Sequence, residues 1–449
     1  MPPPLSALLL QAVRSAPRRY RLPPLPADAG TALAAGTDPA LAFAIESVRQ
    51  ALASRHAAPP ALAELFTTAL ARLITSSLSP ERGDPAFQAL VLQAGEAEVR
   101  EYMRLAASAP ADRRAVRAAV NAIAHPGKAR DLAAGPLRDA LAALHRLAGE
   151  EDWAALEPAA RGLLPLAPAL QHALQAIIDS PGRARMQRLA ALQWAAPVRR
   201  YLDLCGRRGP LAGSDAAAAQ GRASAREGGR AEAAASEAFA RIAALLNAHA
   251  PGAAVRAVAS LRTPPGFPGS AAKAKDEWDV ALVHGSDLVL LAEVKASPAA
   301  ATSDLPRLLR GLERLAHAQA QAVYEFASPQ GTVPLRGDSL RALRPQGRVL
   351  PPQVSYCCDA PPEAQPPVLS AAANAVLLAE PASIAFAQQL LAGGSPHPAA
   401  LLPVWQDLPH APRLHATLHQ YDTACAAREA MLHPGDLLAA VQARLSHAR

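Results

Sequence analysis

The chain has 449 residues, enough for two or three domains, and 51% of them are apolar, so a sizeable core can form. The formal charge of +7 permits a polyanionic partner without demanding one. No apolar run reaches the ~18–20 residues of a membrane helix, so no membrane association is expected.

Much of the apolar share is alanine and only 4% of the chain is aromatic. Alanine favours helix but buries little area, which predicts closely packed helices with few large core residues. The cysteines Cys205, Cys357, Cys358 and Cys425 lack metal-ligand spacing and read as reduced thiols of a cytoplasmic protein. The apolar segment Leu5 to Val13 has no positive stretch before it and arginines after it, so no signal peptide is read.

Residues 1–40 are proline-rich, as in Pro2-Pro3-Pro4 and Leu22-Pro23-Pro24-Leu25-Pro26, and predict an extended arm on a helical body. From 40 to 205 the apolar spacing is helical, as in Leu41, Ile45, Val48 and Leu52. The segment 206–229, rich in Gly, Ala, Ser and Arg, predicts a flexible basic linker. A helix is expected from about Arg230 to His249, then a strand from Ala254 to Arg262 and a hairpin of Glu277–His284 with Asp287–Ala296. Beyond it a helix is expected over Asp304 to Phe326, capped by Ser303 or Asp304 with Pro306 in its first turn. Short strands follow near 332–335 and 349–356, then helices over 381–392 and about 411–445. The expected division is 1–205 arm and helical domain, 206–229 linker, 230–400 catalytic-type domain and 401–449 helical extension. The fold class is a mainly α N-terminal half with an α/β C-terminal domain.

The hairpin carries the chemistry. Glu293 and Lys295, two apart at the end of an apolar strand, share a face. A three-residue loop, Gly285-Ser286-Asp287, would bring Asp279 opposite Glu293. A two-residue loop would pair Asp279 with Ala292 unless a bulge corrects the register. Two carboxylates on one face offer hard oxygen ligands to Mg²⁺ or Mn²⁺. A neighbouring lysine can hold an attacking water and offset phosphoryl charge. The chain has only four lysines, Lys128, Lys273, Lys275 and Lys295, so each is informative.

An Asp, a hairpin and then Glu-x-Lys resemble the PD-(D/E)XK nuclease superfamily over about residues 230–360. The resemblance implies a restriction-endonuclease-like αβββαβ core and metal-dependent phosphodiester hydrolysis on nucleic acid, DNA above RNA. It implies Asp279 and Glu293 as metal ligands and Lys295 as the catalytic lysine. Trp278 stands where the family usually has proline. Many members add a glutamate from the first core helix; Glu232, near the sheet-facing side, is preferred here to Glu237. Arg307, Arg310 and Arg314 share a face of the next helix and could track a phosphate backbone. His415 and His419, four apart, lack an evident third ligand. The rival reading is an inactive nuclease-fold scaffold that binds nucleic acid or, through its helical N-terminal half, a protein partner.

Overall fold

The computed structural model describes residues 5–56, 59–130, 132–209 and 213–447; Pro2-Pro3-Pro4 of the expected arm and residues 210–212 of the expected linker lie outside them. The contacts draw two compact units, one of Met1–Leu73, Ala212–Leu377 and His397–Arg449, the other of Ile74–Leu211 and Leu378–Pro396. This differs from the linear division expected above. The first 73 residues and the C-terminal segment fold with the sheet.

The helical unit includes Pro85–Gly95, Ala97–Ala124, Pro136–Glu150, Trp153–Leu163, Gln171–Ile178, Pro181–Leu192 and Ala196–Arg207. Its core packs Leu105, Val116, Val120, Leu144, Trp153, Leu156 and Ile177, which recur at helical spacing.

The sheet unit holds β1 (Val255–Arg262), β2 (Glu277–His284), β3 (Asp287–Val294), β4 (Val323–Ser328), β5 (Gly331–Arg336), β6 (Val354–Cys357) and β7 (Met431–Leu432). Their order is β5-β4-β1-β2-β3-β6-β7. β1, β2 and β3 form an antiparallel meander, while β6 lies parallel to β3 and β7 parallel to β6. One face packs on the helix Pro298–Leu315 through Leu291, Leu305, Leu308 and Leu312. The other packs Val280, Leu282 and Leu290 against Phe239, Ile242 and Leu246 of the long helix Asp215–His249, with Leu9 and Val441. Burial on both faces explains why β2 and β3 read as near-continuous apolar runs.

Several expectations are corrected. Asp215–Gly229, expected as linker, is the first part of the helix Asp215–His249, because Ser214 caps it and alanine outweighs the scattered glycines. Within the expected arm, Leu5–Ser15 is helical and buries Leu8, Leu9, Ala12 and Val13. Tyr20, in the non-helical stretch that follows, places its hydroxyl 2.7 Å from the carbonyls of both Cys358 and Ala360. The helix expected from Asp304 begins instead at Pro298, with Ser297 accepting from the Ala300 amide, so Pro306 lies inside it. That helix ends at Leu315, and Val323–Phe326, expected as its tail, is strand β4. The last expected helix is divided by β7, after which Pro434 opens the helix Pro434–His447.

Candidate functional site

The hairpin turn has two residues, Gly285 and Ser286, because His284 pairs with Asp287. That corrects the three-residue count. Left alone it would misplace Glu293, but the ladder shifts between the pairs Val283↔Leu288 and Leu282↔Leu290, leaving Val289 as the extra residue. The register then runs to Val280↔Ala292, so the next positions along it are Asp279 and Glu293. One bulge therefore restores the facing pair on which the chemistry depends.

The strands part at this point. Asp279 Oδ2 accepts the Val294 amide at 2.7 Å, so a side chain takes over where the backbone ladder stops. On the other side, the β1–β2 register passes from Ala259↔Val280 to Leu261↔Trp278. Ser260, between them, has φ +47°, a left-handed conformation that costs ~1–3 kcal/mol in a non-glycine residue. A cleft of about 320 Å³ lined by Ser260, Arg262, Glu277 and Ser328 opens beside it.

Glu293 is 2% exposed. Its Oε1 accepts from Lys295 Nζ at 2.8 Å and from Lys275 Nζ at 2.5 Å. Lys275 Nζ also lies 3.7 Å from Asp279 Oδ1, so one ammonium touches both carboxylates. Glu293 Oε2 is buried and has no hydrogen-bond partner among the described residues. An unsatisfied buried acceptor costs ~1–3 kcal/mol, more when charged, so this oxygen is held at the fold's expense. Burial, and then the neighbouring Asp279 charge, push the Glu293 carboxyl up to about 7 against the pull of the two lysines. The Lys295 ammonium is raised despite the opposing effect of burial, because Glu293, Asp304 and Asp279 favour its charged form.

Further groups complete the cluster. Asp304 Oδ2 lies 3.5 Å from Lys295 Nζ and 3.4 Å from the Tyr356 hydroxyl. Tyr356 is the β6 partner of Glu293, and burial followed by Asp304 holds its phenol strongly in the neutral form. Glu232 lies on the long helix close enough for its carboxyl to be raised by desolvation and by Asp279, with Lys275 and Lys295 opposing.

The structure thus brings together Asp279, Glu293 and Lys295, with Glu232 in electrostatic range. It does not present Arg307, Arg310 and Arg314 as an unengaged row. Arg307 is 4.0 Å from Asp276, Arg310 donates to the Lys273 carbonyl at 3.0 Å, and Arg314 stacks over Phe267. All three reach toward the loop between β1 and β2. His415 and His419 pack ring to ring, centroids 4.5 Å apart, and His419 ends the short helix that begins at His415.

Sequence reasoning missed Lys275, Asp304 and Tyr356 as members of the site. The rarity of lysine was the available signal for Lys275. Asp304 reads in the sequence as one of two candidate helix caps, and Tyr356 reaches the site through a parallel strand pairing more than sixty residues away.

The donor set suits a hard divalent cation: two carboxylates, one with an unengaged buried oxygen, and the remaining positions left to water and substrate. Among the described residues there is no group of three or more His, Cys, Asp or Glu side chains placed to hold a metal. A bound ion would therefore rest on two protein ligands. No family model, no curated protein and no solved structure matches the chain.

Proposed function

We propose that this protein is a metal-dependent phosphodiesterase acting on nucleic acid, DNA before RNA, through a PD-(D/E)XK-like site. The observation that carries the reading is the convergence of Asp279, Glu293 and Lys295 at the point where β2 and β3 part, with Glu293 Oε2 buried and unpartnered. The element order supports it. The helix Asp215–His249, β1, β2, β3, the helix Pro298–Leu315 and β6 parallel to β3 reproduce αβββαβ, with the β4–β5 hairpin as an insertion.

Asp279 and Glu293 would hold Mg²⁺ or Mn²⁺. When bound, such an ion supplies Lewis acidity at a phosphoryl oxygen and acidifies a bound water. Lys295, anchored by Glu293 and Asp304, orients the attacking water and offsets the charge gathering on the phosphoryl oxygens. Tyr356 fixes Asp304 and so positions Lys295. Glu232 adds a third carboxylate within electrostatic range of the pair. The test is cleavage of single- and double-stranded DNA and RNA with Mg²⁺, Mn²⁺ or EDTA. Metal-dependent cleavage lost in Asp279→Asn supports the proposal; no cleavage of any substrate with any divalent ion removes it.

One observation favours a second reading, a nuclease-fold scaffold without activity. Lys275 already bridges the carboxylate pair and, with Lys295, cancels its charge. In that case Lys275 and Lys295 serve as fixed counter-charges, and Lys295→Arg would preserve whatever binding exists.

A further inference from the structure

Lys275 is not part of the Asp, Glu-x-Lys pattern, yet it makes the shortest polar contact in the site. It lies in the turn before β2, where Lys273 has φ +54° and the Ala274 amide donates to the Ala271 carbonyl. Its side chain is buried, 6% exposed. The seat is built by close approach of the helix Pro298–Leu315. At Gly311 an added Cβ would lie 2.9 Å from Lys275 Cβ, 3.1 Å from its carbonyl oxygen and 2.8 Å from the Trp278 ring. Only glycine lets the helix press the lysine inward. The ammonium then lies where an ion shared by Asp279 and Glu293 would lie, 3.7 Å from one and 2.5 Å from the other. With Lys295 on the same glutamate, the formal charges of the four groups cancel. A divalent ion added to that arrangement would meet two ammonium groups at contact range, without net attraction.

We infer that Lys275 is a built-in cation that bridges Asp279 and Glu293 and that a divalent metal must displace it from between them. This inference rests on the metal-dependent reading above and adds a gate to it. The metal-competent state is the one with Lys275 withdrawn, so apparent metal affinity is reduced by the fraction of molecules in that state. The unpartnered Glu293 Oε2 is an acceptor left over for the ion once the ammonium has withdrawn.

The test uses the full chain and Mn²⁺ alone, in two measurements. Amine-reactive labelling read by mass spectrometry resolves Lys275 from Lys128, Lys273 and Lys295 because the chain has no other lysines. Mn²⁺ should raise Lys275 labelling severalfold and leave exposed Lys128 unchanged. In parallel, Mn²⁺ affinity by electron paramagnetic resonance should tighten about tenfold or more in Lys275→Gln, since the competing cation is gone. Mn²⁺ binding with Lys275 still protected, or equal affinity in wild type and folded Lys275→Gln, overturns the gate and leaves the metal site standing. Absence of Mn²⁺ binding in both proteins overturns the metal-dependent reading and the gate with it. Should Lys275→Gln not fold, the labelling of the wild type decides alone.

Discussion

The ion pairs of the helical unit and the Glu293 cluster of the sheet unit satisfy carboxylates in opposite ways. In the helical unit the carboxylates meet arginine, from the exposed Arg146–Glu150 and Arg188–Glu101 pairs to the buried Asp112 with Arg185. Asp112 engages both oxygens on the Arg185 guanidinium, and its Oδ2 also accepts from the Ser108 hydroxyl. In the sheet unit, Glu293 is buried, shares one oxygen between two lysines and leaves the other without a partner. Arginine in such a place would fill both oxygens and fix them. Lysine is a compact point charge that can move, so the same carboxylate stays available. The open oxygen of Glu293 lies at the point where strand pairing stops.

Stability measurements test this contrast. The largest effect belongs to Glu293. Its carboxyl is raised from 4.5 to about 7, so the folded state holds a proton that the unfolded state releases. This contribution is fully present below pH 4.5 and is lost as pH rises to about 7. Chemical denaturation should show stability falling across that window by about 3 kcal/mol or less, and Glu293→Gln should flatten it. A slope of opposite sign would mean that the lysines, not burial, govern the carboxylate.

Next in size is Gly311→Ala. Alanine is the better helix former by ~0.5–1 kcal/mol, but a Cβ under 3 Å from both Trp278 and Lys275 must displace one of them. Overpacking of this kind costs ~1–3 kcal/mol, so a net loss of stability is expected by urea unfolding. A gain would show that the lysine's seat is soft. The smallest effect is expected in the helical unit, from Arg146→Ala. Its pair with Glu150 is 60% and 56% exposed, and the loss should stay within about 0.5 kcal/mol in the same assay.

The sequence was legible where local pattern decides. The bounds of β1, β2 and β3 follow from apolar runs between turn residues, and Glu293 and Lys295 share a site because strands repeat every two residues. The facing of Asp279 and Glu293 was expected from a three-residue turn; the two-residue turn with a bulge that brings it about was legible only as an alternative, since neither is dictated by residue type alone. Long-range pairing was not legible. Nothing near Tyr356 announces that β6 runs parallel beside Glu293, and nothing near Tyr20 announces its contact with the Cys358 carbonyl. The helix from Asp215 was hidden because Gly and Ser in a linker-like composition masked the helical weight of alanine.

The most direct test compares turnover with binding in Lys295→Ala. On the proposed function Lys295 contributes to the transition state and little to the ground state, which predicts that the variant loses cleavage by about a hundredfold or more while DNA affinity changes by less than about threefold. Lys295→Arg should restore little, because a planar guanidinium cannot take the ammonium's place between Glu293 and Asp304. Equal cleavage in wild type and Lys295→Ala, or full rescue by arginine, would contradict a catalytic role for Lys295.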